Sequence, residues 1–357
     1  MIPYVILLTV PIMINYYAKD TTINRVKLDK LPLFLFFLFL TVLVMFRHPS
    51  IGNDTKNYIY YFKRFAYTSY AQMGKHPLEV GFQYLCKSIA LLSDDQQFFI
   101  ATTGFLISAM LYPTYRGMCE DAPLTIVLFC VLPIFPMFFS GIRQMLAIGI
   151  GMASFAFTRR KRPVLFLLSV AAAMSFHASA FMLLFMYPLF HARITKKWAF
   201  FSIPTLAIVF VFNKQLFGLL GEVLQSYTRY EATLTSTGAY SMLVLFASLT
   251  VFCFVIPDEA LLDDDTIGLR NFLLLSLVLQ LFVPVNMLAM RMNYYYIIFI
   301  PLLLPRVIMR TQVRYRDICR WTRNIMVVFF FLYFFFHAKP GGNLHSIPYR
   351  FFWEIDR

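Results

Sequence analysis

Four polar side chains interrupt apolar stretches of the sequence at points where a charge is costly. Arg47 follows the apolar run 31–46, and Arg143 opens a run that carries no other charge before Arg159. His177 lies between two apolar segments, and Asp54 lies in the turn-forming segment FRHPSIGNDTKNY. An ionisable group near hydrocarbon usually has a partner or a ligand, because an isolated charge there is expensive. These residue types predict a site that binds an anion and moves a proton.

The arginines and the histidine suit different parts of such chemistry. A guanidinium group binds two phosphate oxygens at once and keeps its charge, whereas an imidazole takes up a proton near neutral pH. We predict that the arginines hold a lipid-linked pyrophosphate and stabilise its charge as it leaves. His177 or Asp54 would accept the proton of an attacking hydroxyl. The predicted pyrophosphate ligands are Arg47, Arg143, Arg291 and Arg229.

Structural explanations compete with these roles. Asp54 could cap a helix that begins at Thr55, and Arg143 could extend towards lipid head groups. His177 could be a satisfied histidine at the interface. An aromatic belt accounts for the three tyrosines after Arg291, which we place in a tight turn. The five cysteines have no CxxC spacing, so the sequence suggests neither a metal cluster nor a disulfide framework, and we predict no metal and no cofactor.

The elements that must position these residues are apolar helices. The chain has 357 residues, of which 59% are hydrophobic and 14% charged, against about 25% charged in a soluble domain. Its apolar runs are continuous and not alternating, which favours helices over a barrel. The sequence predicts an all-α, polytopic membrane bundle of about twelve transmembrane helices, forming a single transmembrane domain over residues 1–357. The predicted spans are approximately 2–16, 31–46, 96–115, 123–140, 142–158, 163–176, 178–190, 198–212, 240–256, 269–290, 293–305 and 324–338.

Basic residues predict the orientation of the bundle. The net charge of +14 is better explained by basic cytoplasmic loops than by a nucleic-acid partner. With the N-terminus outside, the RRKR run at 159–162 and the arginine-rich segment 306–323 both lie inside. Two longer loops, 47–95 and 213–239, then lie outside, and the first allows a short helix in PLEVGFQYLCKSIALL. All of the predicted site residues fall on this outer face.

Four motifs resemble the EpsG-type exopolysaccharide polymerases, which are relatives of the Wzy O-antigen polymerases. The motifs are FRHPSIGNDTKNYIYYF, EVGFQYL, SGIRQMLAIGI and SFHASAFMLL, the last followed by Tyr187 and Pro188. Their order and spacing match the family pattern over residues 46–190. In the second half, RMNYYYIIFIP is similar only in character.

The resemblance implies a multi-pass enzyme of the bacterial inner membrane, with its active site facing the periplasm. Family members transfer a growing glycan from undecaprenyl pyrophosphate to a sugar hydroxyl of an incoming lipid-linked repeat unit. The resemblance also implies a metal-independent glycosyltransferase. Arg47, Asp54, Arg143 and His177 match the family's polar motif positions, and Arg291 is carried over as well. The expected partners are the undecaprenyl-pyrophosphate-linked oligosaccharide and the lipid bilayer, with a chain-length regulator protein as a further candidate.

Three other functions remain open on the sequence alone. A glycosyltransferase with a polyprenyl-phosphate sugar donor would place acidic residues in the first outer loop, where only Asp54 is suitably placed. An O-antigen ligase would transfer the same donor to lipid A. A flippase or transporter of lipid-linked oligosaccharide would need a charged path through the bilayer, whereas charges within the spans are nearly absent here.

Overall fold

The computed structural model describes residues 1–20, 30–223, 236–311, 315–337 and 347–354. Its regular elements within these ranges are helices, and its one isolated antiparallel bridge there joins Arg47 to Phe351. The prediction of an all-α fold is therefore confirmed. The long apolar helices also make the chain a helical membrane protein.

We number the α-helices in chain order. The first nine are α1 Ile2–Asp20, α2 Leu31–Met45, α3 Thr55–Tyr67, α4 Val80–Ala90, α5 Gln96–Met118, α6 Ala122–Val131, α7 Ile134–Ser140, α8 Ile142–Arg159 and α9 Pro163–Met174. A 3-10 helix, Ala178–Phe185, follows α9. The others are α10 Met186–His191, α11 Lys196–Phe201, α12 Ile203–Val211, α13 Asn213–Val223, α14 Ser236–Val255, α15 Asp264–Gln280, α16 Met287–Ile297, α17 Ile300–Thr311 and α18 Arg316–His337.

By length and composition, the described residues contain three single helices that could cross a membrane, or six spans if each bent pair of helices counts as one. The single helices are Gln96–Met118, Gly238–Val255 and Arg316–His337. The bent pairs are α6 with α7, α11 and α12 with α13, and α16 with α17, which bend by 63°, 77° and 48°. Several predicted spans are thus broken or short, and the larger number of about twelve stays a prediction.

The predicted outer loops contain helices of their own. The loop 47–95 carries α3 and α4, and α4 is the short helix that we expected in this segment. The loop 213–239 begins with α13, and its residues 224–235 lie outside the described part of the chain.

The described chain forms two compact units. Unit 1 comprises Met1–Phe181 with Thr322–Arg357, and unit 2 comprises Met182–Trp321. The single transmembrane domain over residues 1–357 stays a prediction.

Unit 1 is built on helices that pack closely. A Cβ atom added to Gly149 of α8 would lie 2.8 Å from Cε of Met110 on α5, so a glycine allows the two helices to approach. Thr114 on α5 donates a hydrogen bond to the Met152 carbonyl of α8, 3.2 Å away. Near the start of α1, the Tyr4 ring makes edge contacts of about 6 Å with four other aromatic rings.

One end of unit 1 is held together by basic side chains, and we call it the basic end. It is defined by Tyr16, Lys30, Cys119, Asp121 and Arg323. Arg323 binds both carboxylate oxygens of Asp121, at 2.9 and 3.0 Å, and its Nη1 donates to the Tyr16 hydroxyl at 3.0 Å. Lys30 donates to the Cys119 carbonyl at 3.1 Å. Residues from four separate parts of the sequence therefore meet at this end.

The opposite end of unit 1 collects the predicted site motifs, and we call it the site end. It is defined by Arg47, Gly52, Glu79, Arg143 and His177. The helix α2 runs from the basic end to Met45, whose carbonyl accepts a 2.6 Å hydrogen bond from Gln97 at the start of α5. Gly52, at φ +86°, lies against the Phe139 carbonyl so closely that a Cβ atom would clash with it. The loop after α2 is thereby fixed beside the break between α7 and α8.

Unit 2 is organised around α15 and α16. Asn293 of α16 accepts from the Ser276 hydroxyl at 2.6 Å and donates to Gln280 at 3.2 Å, both on α15. Gln280 in turn donates to the Ala239 carbonyl of α14 at 3.1 Å. Tyr296 donates to the Met182 carbonyl at 2.6 Å. Buried polar groups that satisfy one another in this way fix the register of the helices.

An ion-pair cluster lies at the start of α15 in unit 2. Asp263 caps the helix by accepting from the Thr266 backbone N–H at 2.9 Å, and it accepts from Arg306 and Arg310, each at 2.8 Å. Partial burial works to raise the pKa of Asp263, but the hydrogen bonds and the arginine charges outweigh it and hold that pKa well below its ordinary value.

Candidate functional site

The centre of the site end is a carboxylate that the sequence analysis did not single out. Glu79 forms an ion pair with Nη1 of Arg143 through its Oε2 atom. Its Oε1 atom accepts a 3.0 Å hydrogen bond from the Ala178 backbone N–H and lies 3.9 Å from Nδ1 of His177. Arg143, Glu79 and His177 are only 19%, 18% and 13% exposed. Two predicted site residues, 34 positions apart in the sequence, therefore meet across one buried acid.

The backbone around Glu79 is built to hold this position. Glu79 itself is extended, and α4 begins at the next residue. The Gly81 N–H donates to the Ser175 carbonyl at 2.7 Å, and a Cβ atom at Gly81 would clash with that carbonyl. Gln83, which is fully buried, donates to the Leu78 carbonyl at 2.5 Å and accepts from the Gly74 N–H at 2.9 Å. Gln83 thus ties the loop before Glu79 to α4, and Gly81 ties the start of α4 to the turn after α9.

Arg143 is fixed from several directions. It occupies the first turn of α8, directly after the break at Gly141. The guanidinium carbon lies 5.9 Å from the ring centres of both Tyr58 and Phe82, and the Tyr58 hydroxyl is a hydrogen-bond partner. Its Nε is buried and has no hydrogen-bond partner among the described residues. A buried N–H donor of this kind is costly unless an acceptor is supplied, and an oxyanion would supply one.

His177 lies in the turn between α9 and the 3-10 helix. Its Nδ1 atom lies 3.3 Å from the Ser179 backbone N–H and 3.2 Å from the Ser179 hydroxyl. A backbone N–H can only donate, so neutral His177 accepts at Nδ1 and carries its proton on Nε2. If Nδ1 becomes protonated, the resulting imidazolium faces the Glu79 carboxylate. The arrangement therefore stabilises the charge that a proton acceptor would gain.

A second histidine, His76, was not considered in the sequence analysis. Its ring packs edge-on against those of Tyr61 and Phe65, with centroid distances of 5.5 and 5.2 Å. Partial burial and the positive charges of Arg64 and Arg143 lower the pKa of His76. This packing, with a 3.2 Å hydrogen bond from the Leu78 N–H to Nδ1 of His76, gives the residue a structural role in the loop before Glu79.

Asp54 lies at the cap position of α3, as the structural alternative proposed, but its side chain makes no capping hydrogen bond. It is exposed, and its backbone N–H donates to the Ser140 hydroxyl at 3.3 Å. The Asp54 backbone thus fixes the loop near Arg143, while the side chain is exposed.

Arg47 makes its contacts at the end of α2. It is 1% exposed, and its Nη1 donates to the Val44 carbonyl at 2.9 Å, which caps the end of α2. The segment 347–354 covers it: Tyr349 donates to the Leu43 carbonyl at 2.7 Å, and Phe352 donates to the Phe46 carbonyl at 3.0 Å. The convergence of Arg47 with Arg143 and His177 stays a prediction; the structure shows that Arg47 is buried and that its Nε and Nη2 atoms have no hydrogen-bond partner among the described residues.

The remaining predicted ligands, Arg291 and Arg229, are not among the described residues of unit 1. Arg291 belongs to unit 2 and lies within α16, so its placement in a tight turn was wrong; the turn precedes Asn286, which caps α16 by accepting from the Leu288 N–H at 2.8 Å. Arg229 lies outside the described residues. The described residues also contain no group of three His, Cys, Asp or Glu side chains placed to hold a metal ion.

Comparison with known proteins gives one match. The model of the EpsG family matches the chain over residues 30–351, which includes every helix from α2 to α18. No curated protein and no solved structure matches the chain.

Proposed function

The chain belongs to the EpsG family, and from that premise we propose that it is a polysaccharide polymerase. In this proposal it transfers a growing glycan from undecaprenyl pyrophosphate to a sugar hydroxyl of an incoming lipid-linked repeat unit. The observation that carries the proposal is the pairing of Arg143 and His177 across Glu79 at one end of unit 1. An anion-binding group and a proton acceptor lie together there, as this transfer requires.

The reaction can be written with these residues. The acceptor hydroxyl oxygen attacks the anomeric carbon of the donor, and the bond from that carbon to the pyrophosphate oxygen breaks. Arg143 binds the departing diphosphate and stabilises its negative charge. His177 takes the hydroxyl proton at Nδ1, and the imidazolium is stabilised by the Glu79 carboxylate 3.9 Å away. Asp54 is the alternative acceptor, but its exposure supports that role less.

Other parts of the proposal rest on the sequence and the family. We place the protein in the bacterial inner membrane with about twelve spans, and with the site end facing the periplasm. The gathering of Lys30 and Arg323 at the basic end supports this orientation, because basic residues favour the cytoplasm. Arg47, Arg291 and Arg229 remain proposed contacts of the lipid-linked substrate, and a chain-length regulator remains a proposed partner.

Deletion of the gene in its host tests the function directly. The surface glycan would be resolved by gel electrophoresis, and complementation would use the unmodified chain and the Arg143→Gln variant. A polymerase deficiency leaves single repeat units, and Arg143→Gln should fail to restore long chains. Long polymer that remains on the carrier would instead indicate a ligase, and units trapped on the cytoplasmic side would indicate a flippase. Either outcome would overturn the proposal.

A second experiment addresses the rival glycosyltransferase with a polyprenyl-phosphate sugar donor. The purified protein in detergent would be given a lipid-linked repeat unit, with and without EDTA. We expect polymer formation in both cases. Loss of polymer with EDTA and recovery with Mg²⁺ or Mn²⁺ would favour the rival reaction, in which acidic residues bind a metal.

A further inference from the structure

The Glu79–Arg143 pair raises a problem for phosphate binding. Nη1 of Arg143 already binds the Glu79 carboxylate, and the Tyr58 hydroxyl is a second partner. A guanidinium has five N–H donors, and the buried Nε is one that has no hydrogen-bond partner among the described residues. A bidentate grip on a phosphate needs two guanidinium nitrogens on one edge. A diphosphate on Arg143 must therefore take over a donor that now belongs to Glu79, or lie beside a carboxylate of the same charge.

The second carboxylate oxygen of Glu79 would hold the side chain in place after the pair with Arg143 is broken. Oε1 is held by the Ala178 backbone N–H at 3.0 Å, independently of Arg143. A carboxylate that loses Arg143 is thus still tethered at the turn that carries His177. Once the guanidinium charge is engaged by phosphate, the charge of Glu79 is balanced mainly by a proton on His177, 3.9 Å away.

We propose that Glu79 is a resident counter-ion that the diphosphate of the donor displaces from Arg143, and that it then serves His177. This inference rests on the proposed function, since it assumes that Arg143 binds the donor. Glu79 is a positioning residue in this scheme, because it acts through Arg143 and His177. Binding of the donor and protonation of His177 become coupled: each favours the other, and the coupling must be reciprocal. Binding of the lipid-linked glycan donor thereby makes His177 a better proton acceptor.

The scheme makes an unusual prediction for Glu79→Gln. The amide keeps an oxygen for the Ala178 N–H and the shape of the side chain, but it removes the negative charge that competes for Arg143. Binding of a diphosphate should become tighter while turnover becomes slower, because the imidazolium loses its counter-ion. A residue that merely supported the fold would weaken binding and turnover together.

The test uses the purified full chain and inorganic pyrophosphate, measured by isothermal titration calorimetry. Relative to the unmodified protein, we expect Glu79→Gln to lower the Kd for pyrophosphate about tenfold, a coupling of ordinary size. Arg143→Gln should raise the Kd about tenfold or more, and Glu79→Gln should have no further effect in the Arg143→Gln background. Asp94→Asn, which removes an exposed carboxylate in the same loop, is the matched control and should leave the Kd unchanged.

Kinetics with the lipid-linked donor provide the second readout. We expect Glu79→Gln to lower kcat about a hundredfold without raising KM, and Glu79→Asp, which keeps the charge, to restore part of the rate. Should Glu79→Gln fail to fold, infrared difference spectra of the unmodified protein can replace it. Addition of pyrophosphate should shift a carboxylate band, and the shift should be lost in Arg143→Gln.

The outcomes separate this inference from the proposed function. Tighter pyrophosphate binding by Glu79→Gln in a protein that forms no polymer would support the exchange and overturn the polymerase. Polymer formation with an unchanged or weaker Kd in Glu79→Gln, or with no shift of the carboxylate band, would overturn the exchange and leave the polymerase standing.

Discussion

The Gly81 backbone N–H donates a hydrogen bond to the Ser175 carbonyl at 2.7 Å, which joins the start of α4 to the turn before His177. We expect Gly81→Ala to break this contact, because its Cβ atom would clash with the Ser175 carbonyl. The predicted loss of stability is about 1–3 kcal/mol, the usual cost of overpacking. Polymer formation should fall by more than the loss of folded protein, since Glu79 and His177 are displaced relative to each other. Thermal unfolding in detergent and gel analysis of the glycan would measure the two effects.

Gly117→Ala is the control for this substitution. A Cβ atom at Gly117, near the end of α5, would meet no heavy atom within 4 Å. Its stability and activity should match those of the unmodified protein. Equal behaviour of the two alanine variants would contradict the role given to the Gly81 contact.

Replacement of Arg143 should separate charge from geometry. Arg143→Gln is expected to lower the rate by about 10²–10³-fold, the cost of removing one oxyanion donor. Arg143→Lys keeps the charge but loses the planar guanidinium group, so its rate should lie between those of the unmodified protein and Arg143→Gln. Arg64→Gln removes an exposed arginine from the last turn of α3 and should leave the rate unchanged. A fully active Arg143→Lys protein would show that a point charge suffices and would remove the argument for bidentate binding.

The two histidines of the site end should behave differently. We expect His177→Gln to lower kcat by about 10²–10⁴-fold with little change in the affinity for pyrophosphate, as for loss of a general base. His76→Gln should retain polymer formation, because the His76 ring packs against Tyr61 and Phe65 and its Nδ1 atom accepts a hydrogen bond from the Leu78 N–H. Activity and pyrophosphate binding of both purified variants would be compared with those of the unmodified chain. The reverse order of effects would assign the base to His76.

In unit 2, Asp263→Asn should destabilise the protein without a direct effect on the site end. Asp263 pairs with Arg306, which is 7% exposed, and with Arg310. Since Asp263 itself is 39% exposed, we discount the cost of the broken pairs to about 1–2 kcal/mol. Asp264→Asn, at a carboxylate that is 78% exposed, is the control and should cost little.

The pH dependence of this effect has a definite sign. The folded-state pKa of Asp263 is held below that of the unfolded chain. Its stabilisation is therefore present above about pH 4 and is lost as the pH falls through the folded-state value. The difference in thermal midpoint between the unmodified protein and Asp263→Asn should be constant from pH 7 to pH 5 and shrink in more acidic buffer. A difference that grew on acidification would contradict this assignment.

Hydrophobicity and motif order predicted much of this protein. Continuous apolar runs are typical of helices in lipid, and the all-α fold follows from them. The meeting of the segments around Arg143 and His177 followed from counting spans and from the positions of basic loops. Such counting places residues at the same membrane level but cannot give their separation within that level. On this basis the sequence grouped Arg47 with Arg143, but it could not predict that Arg47 would be buried against the backbone at the end of α2.

Glu79 shows what a single sequence leaves hidden. It lies in the quoted motif EVGFQYL, yet an acidic residue before a short helix is most simply explained as a cap. Its importance comes from burial beside Arg143, and that burial depends on Gly81 fitting against the turn after α9. The glycine two residues after the acid was the available signal. Gly81 has no side chain because its backbone touches that of Ser175, but Ser175 lies more than ninety residues further along the sequence.

The composition of unit 1 has a consequence for biogenesis. The segment 347–354 that encloses Arg47 follows unit 2 in the chain, so it leaves the ribosome after every helix of unit 2 has been made. Domains tend to fold in the order of synthesis, and unit 2, being continuous, can assemble early. Until this segment has been made, the Arg47 guanidinium lacks its cover, and the helices of unit 1 that precede unit 2 wait with a charge unshielded.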